Sequence, residues 1–245
     1  MEVEVRRHSF SAVGRCVLAG GEQMRVHPEA VRMYSAGVRM RARDTSGVEQ
    51  ASSRGRPPVP TRPEFRMVAE AFGSGGGWLE LAAPLPGEVV ELEIDSDRSY
   101  FVNRRNWLGS SEQVSLEPQL RSGATASPDP GYDLGVIPGM LVEGSGRVVL
   151  WALGGGEIVD LAPGEGVVVE SSYVVGYDLV TRCTMHASGG PGSRGGELDD
   201  GPSLPSKAFT EFVGPGRLVL QARSERAMAA WTRSIVPNKV VPVTF

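Results

Sequence analysis

The chain has 245 residues and a formal net charge of −4, a balance that argues against an electrostatic grip on nucleic acid or anionic lipid. Two cysteines, Cys16 and Cys183, make no disulfide framework, and no run approaches the roughly 20 apolar residues of a membrane span. Thirty-two Gly and 18 Pro, with few long apolar runs, predict an all-β chain of many short strands joined by turns.

In chain order, Met1-Glu-Val-Glu-Val-Arg-Arg7 lacks the apolar segment of a secretory signal, so a cytoplasmic protein is expected. Residues 16–19, 23–26, 31–34 and 38–40 read as short strands. Residues 44–64 are polar and proline-rich, a loop or linker closing a first unit, 1–64. A second unit, 65–131, carries a strand after Gly77, then Gly87-Glu-Val-Val-Glu-Leu92, with further strands near 100–102, 107–108 and 113–116. It ends in a second Gly/Ser/Pro-rich connector at 122–130. The third unit, 132–245, has β-branched and aromatic strands at 166–170 and 173–177 and a third loop at 187–205. Ser224 is placed to cap a short helix with Met228, Trp231 and Ile235 on one face, stopped by Pro237. Residues 240–245 can return as a final strand.

One pattern recurs. Gly75-Gly-Gly-Trp-Leu-Glu-Leu81, Gly144-Ser-Gly-Arg-Val-Val-Leu150 and Gly214-Pro-Gly-Arg-Leu-Val-Leu220 follow one another at lags of 69 and 70 residues, the mark of a repeated structural unit. Alternation after the glycines places Leu79, Val148 and Leu218 on an inward face. The other face, with Trp78, Glu80, Arg147, Val149, Trp151, Arg217, Val219 and Gln221, changes from copy to copy as a surface or inter-unit face would. A weaker copy starts at Gly14, with Cys16 and Leu18 inward. Gly87–Leu92 and Gly156–Leu161 share the 69-residue lag. In the first unit Gly21-Glu22 can be matched either to that pair or to Gly164-Glu165.

These repeat strands with Gly-Glu turns, and best of all Gly214-Pro-Gly216 through Gln221, resemble the altered-inheritance-of-mitochondria type of mitochondrial biogenesis protein and its bacterial relatives, over about 8–223. The resemblance implies three tandem β-sandwich repeats of about 70 residues related to the trp RNA-binding attenuation protein fold and packed around a pseudo-threefold axis, here followed by one short C-terminal helix. It brings no catalytic motif, so no site residue is carried over. The long loops at 44–64 and 187–205 depart from the family pattern.

Chemistry is sparse. The Gly-x-Gly starts lead into alternation rather than into a helix N-terminus, so they are turns rather than phosphate loops. Cys183-Thr-Met-His186 has ligand-like spacing but no second pair, and the two side chains would leave a strand on opposite faces. Glu91, Glu93, Asp95 and Asp97 would line one strand face opposite Val90, Leu92 and Ile94. Such a face suits a hard cation, an arginine-bearing neighbour (Arg98, Arg104 or Arg105), or plain solvent, the commonest case. Trp78 and Trp151 can be binding platforms, although aromatic side chains at unit interfaces are commoner.

The expectation is a non-enzymatic β-repeat scaffold or binding protein without catalytic residues, cofactor or metal, acting through inter-unit or inter-chain surfaces on a protein partner or on itself. RNA binding is the second reading, requiring basic loop residues (Arg54, Arg56, Arg62, Arg194) to converge against the acidic balance. A small-ligand or metal-binding β-sandwich is the third.

Overall fold

The computed structural model describes residues 1–8, 11–42, 67–122, 136–187 and 208–235. Among them the alternating segments become antiparallel strands in four sheets. The first has the order β1 (Glu2–His8), β2 (Ser11–Leu18), β7 (Gly77–Ala82), β4 (Val31–Tyr34). The second runs β5 (Val38–Ala42), β6 (Met67–Ala71), β3 (Gln23–Val26), β10 (Trp107–Ser111), β13 (Gly146–Leu153), β8 (Gly87–Ile94). The third runs β11 (Val114–Ser122), β12 (Val136–Gly144), β9 (Tyr100–Asn103), β16 (Val174–Asp178), β19 (Gly216–Gln221), β14 (Gly156–Leu161). The fourth is β15 (Gly166–Glu170), β18 (Ala208–Val213), β17 (Arg182–Ala187), and helix α1 (Glu225–Ile235) follows β19.

Three apolar cores lie between the four sheets. Leu79 and Leu81 meet Met24, Val26 and Ala69 in the first. Val148 and Leu150 meet Tyr100, Val102 and Met140 in the second. Leu218 and Phe101 meet Phe212 in the third. The three residues expected to point inward after the glycines are thus fully buried, each in its own core. Each such side chain taken from water contributes about 1.5–3 kcal/mol.

The changeable face of these strands is buried too. Val149 and Trp151, on the reverse of β13, belong to the first core, and Val219, on the reverse of β19, belongs to the second. A strand apolar on both sides is one sandwiched between layers. In β7 the corresponding residue is Glu80, only 4% exposed, whose carboxylate receives Arg6 at 3.4 Å, Arg15 at 3.3 Å and Arg32 at 3.1 Å. Arg15 also covers the Trp78 ring at 3.8 Å.

The ladders fix several matters that the sequence leaves open. β7, β13 and β19 each lie between two strands: Leu79 opposes Cys16 and Tyr34, Val148 opposes Leu92 and Ser110, and Leu218 opposes Val159 and Tyr177. Gly87 opposes Leu153, whereas Gly156 opposes Gln221. The two Gly-Glu motifs therefore sit two residues apart on their ladders despite their shared lag, an even displacement that keeps the same face inward. Gly21-Glu22 matches Gly164-Glu165. The Glu22 carboxylate accepts from Ala19 N at 2.9 Å and that of Glu165 from Ala162 N at 2.8 Å, and the glycines share φ near +80°. Only glycine holds that conformation without strain.

β1 is an addition to the expected strands: Val3 and Val5 pack on the first core, while Glu4 and Arg6 pair on the outside. The segments 43–66, 123–135 and 188–207, which contain almost all of the three expected connectors, lie outside the described residues, as does the expected strand at 240–245. The strands flanking each segment pair with one another, β5 with β6, β11 with β12 and β17 with β18. Residues 67–82 pair with strands that precede them, not with strands that follow.

Candidate functional site

A cleft of about 960 Å³ opens where β2, β8 and the β13–β14 turn come together and α1 crosses them. Its position follows from backbone chemistry. Gly154 takes φ +82° and its N–H donates to Pro86 O at 3.2 Å, turning the chain sharply at the cleft floor. Beyond β19, Ala222 N donates to Gly155 O at 2.7 Å and Arg223 N to Leu153 O at 3.1 Å, tying the start of the helix to that same turn. Ser224 then caps α1, its hydroxyl accepting from Ala227 N at 3.3 Å, as the sequence predicts. The helix presents Ala227, Met228 and Trp231 to the cleft, Met228 packing against the first core and Trp231 left 62% exposed.

The walls are mainly apolar, and the charges sit at their edges. Glu88 accepts from Arg7 Nε at 2.7 Å and from Gly156 N at 3.0 Å. Those two donors, the backbone N–H first, hold its carboxyl below the ordinary carboxylate range. Arg223 is the second cation of the lining, its stem lying over Gly154. Behind the wall lies a buried polar hub. Asn106 Nδ2 donates to Trp151 O at 2.6 Å and to Gln221 Oε1 at 3.2 Å. Gln221 Oε1 also accepts from Leu153 N at 3.2 Å, while its Nε2 donates to Ser172 O at 2.9 Å. One glutamine thus joins the second and third sheets directly beneath the cleft. Chemically the arrangement can bury an apolar body and offer guanidinium groups to an anionic end.

A family model for mitochondrial biogenesis AIM24 proteins matches residues 3–223. The chain belongs to the AIM24 family. No curated protein matches it. The X-ray crystal structure of a Streptococcus pyogenes protein is similar to this AIM24-family chain, with a TM-score of 0.68 at 16% sequence identity, covering 96% of this chain and 99% of that one. At that identity the likeness speaks for the fold alone, and the fold is all-β with several antiparallel sheets.

The residues singled out for chemistry are dispersed through this AIM24-family fold. Cys183 and His186 lie on β17, where Cys183 Sγ donates to Tyr177 OH at 3.5 Å and His186 Nε2 meets Glu211 at 3.1 Å. Of the acidic alternation, Glu91 and Glu93 lie in β8, while Asp95 and Asp97 fall in the turn after it. Glu91 has an arginine neighbour, but it is Arg147 across the ladder. Arg98 instead approaches the fully buried Asp178 at 3.7 Å, and Arg104 and Arg105 occupy the 3-10 turn before β10. Among the described residues, no three His, Cys, Asp or Glu side chains are grouped as metal ligands, and no helix is long and apolar enough to cross a membrane. Trp151 sits at an interface between layers, 2% exposed in the first core. Arg54, Arg56, Arg62 and Arg194 lie outside the described residues. Sequence reasoning missed the cleft because Arg7, Glu88, Arg223 and Met228 share no motif and meet only through the fold.

Proposed function

We propose that the chain is a non-enzymatic scaffold of three tandem β-sandwich units whose working surface is the cleft beneath α1. On this reading the units are 11–82, 87–153 and 156–221, divided at 83–86 and 154–155 rather than at the connectors near 64 and 131. What supports it is the recurrence of one pairing order: β2–β7–β4, β8–β13–β10 and β14–β19–β16. A register shift follows in each at Val31/Met33, Trp107/Gly109 and Val174/Gly176. The cleft itself carries the functional part of the proposal. Glu88 and Ser224 are tied up in positioning the chain, and the rest of the surface is mainly apolar, with Arg7, paired with Glu88, and Arg223 among the lining residues. That chemistry takes an amphiphilic anion or an apolar segment ending in a carboxylate.

The test uses 1-anilinonaphthalene-8-sulfonate, an apolar ring system bearing one sulfonate. Saturable, single-site fluorescence enhancement is expected for the wild-type chain. Met228→Asp places a carboxylate in the wall and should weaken binding by at least about tenfold without altering the circular dichroism spectrum. A wild-type chain that leaves the probe dark, or a Met228→Asp chain that binds it unchanged, defeats the reading.

A further inference from the structure

Two arginines and one glutamate leave the lining of the cleft with one net positive charge. Arg7 and Glu88 neutralise each other, and Glu88 is further held by Gly156 N at 3.0 Å. Arg223 has no carboxylate partner among the described residues. Its stem is laid over the β13–β14 turn, where a Cβ on Gly154 would lie 3.0 Å from Arg223 Cγ. A second donor lies under the same floor. Trp151 is 2% exposed, and its indole N–H has no acceptor among the described residues. A Cβ on Gly87 would stand 2.6 Å from Trp151 Nε1, so the bare backbone of Gly87 is what lies between the indole and the cleft. A buried donor left unpaired is destabilising, and an incoming oxygen relieves it.

We infer that the cleft takes a single-chain alkyl carboxylate, the chemistry of a fatty acid. Its head lies over Gly87 between Arg223 and the Trp151 N–H, and its chain runs along Ala12, Leu153, Met228 and Trp231. The inference rests on the cleft being the working surface. One net charge matches a monoanion, whereas a phosphate dianion would leave a charge uncompensated against a mainly apolar wall.

Backbone chemistry separates an alkyl chain from a peptide. Gly154 N is given to Pro86 O, Ala222 N to Gly155 O, Arg223 N to Leu153 O and Gly156 N to Glu88. A peptide in the cleft would bring its own amides to a wall whose donors are already engaged. An alkyl chain has no amides to satisfy. The volume of about 960 Å³ lies at the upper end of small-molecule sites, roughly 300–1,000 Å³, which leaves room for a long chain. Trp231, 62% exposed on α1, offers apolar surface for that chain to cover. Each methylene moved from water onto the wall tightens binding by up to about fourfold.

Isothermal titration calorimetry of the full chain with octanoate, decanoate and decan-1-ol tests this. Decanoate should bind one to one, at least about fivefold tighter than octanoate and at least about tenfold tighter than the neutral alcohol. Arg223→Gln keeps the stem over Gly154 and should erase the preference for the carboxylate while leaving decan-1-ol binding as it was. Glu88→Gln releases Arg7 and should tighten decanoate by at least about threefold. The indole N–H resonance that Trp151→Phe removes from the NMR spectrum of the wild-type chain should move with decanoate and stay in place with decan-1-ol. Equal affinities for acid and alcohol, or an Arg223→Gln chain of wild-type melting temperature that keeps its preference, overturns the proposal. So does a Glu88→Gln chain that binds no tighter, or an indole resonance indifferent to decanoate. Failure of decanoate to displace the naphthalene sulfonate probe from a site sensitive to Met228→Asp sinks the fatty-acid assignment alone. A probe that stays dark with the wild-type chain removes the cleft as working surface, and this inference with it.

Discussion

Replacing Gln221 with Leu tests whether the hub beneath the cleft holds the second and third sheets together. Leucine nearly keeps the volume of glutamine, so packing is preserved while the bonds to Asn106, Leu153 and Ser172 disappear. Gln221 is 7% exposed, so the Leu153 N–H loses its side-chain partner in a site with little water. Asn106 keeps Trp151 O and loses one bond, and Ser172 O is only partly buried. At about 1–3 kcal/mol for each orphaned buried group, discounted for Ser172, the sum is about 2–4 kcal/mol. For a chain of this size that is a fall in Tm of about 5–10 °C. Denaturant unfolding of Gln221→Leu, Asn106→Ala and the double variant gives the coupling, expected at about 0.5–3 kcal/mol because both side chains belong to one network. A Gln221→Leu chain within about 0.5 kcal/mol of wild type, or strict additivity with Asn106→Ala, refutes the reasoning.

Gly109→Ala drives a methyl group against Arg25 O and Leu81 Cδ1, and should lower stability by about 1–3 kcal/mol. Gly75→Ala, with nothing within 4 Å of the added carbon, should be neutral or slightly stabilising in the same melt. Burial pushes the Cys16 thiol up to about 12, so a thiol-reactive dye should label only Cys183 in the native chain and both cysteines in denaturant. The depressed Glu88 carboxyl contributes stability above its ordinary value of 4.5 that is lost as pH falls through the lower folded value. The Tm difference between wild type and Glu88→Gln should accordingly shrink on acidification from neutral pH to below 4.5, and a constant difference would contradict the assignment.

Period two was enough to place Leu79, Val148 and Leu218 inside, because a strand that alternates has only one face to hide. It could not say what covers the reverse. Val149 and Val219 are ordinary apolar residues in the sequence, and only the stacking of sheets makes them the inner lining of a neighbouring core. The Val3/Val5 alternation of β1 is legible in hindsight, though it lies in a stretch whose charged residues draw attention to targeting instead. Lag alone matched Gly87 with Gly156 yet missed the two-residue slip, since a ladder can slide by an even step without changing faces. Proline and glycine in the 44–64 stretch suggested a boundary between units. That stretch lies outside the described residues, and the strands on either side of it, β5 and β6, pair with each other, a long-range pairing that composition does not reveal. The cleft was invisible because its residues are brought together from both ends of the chain.

The sharing of β13 between two cores has a consequence at the ribosome. The N-terminal layers lack Val149, Trp151 and Leu153 until those residues have been synthesised and have left the exit tunnel. Nascent chains shorter than this expose a greasy surface that only later translation can cover, and a truncation after β7 should accumulate as an aggregate or a chaperone client instead of a free-standing module.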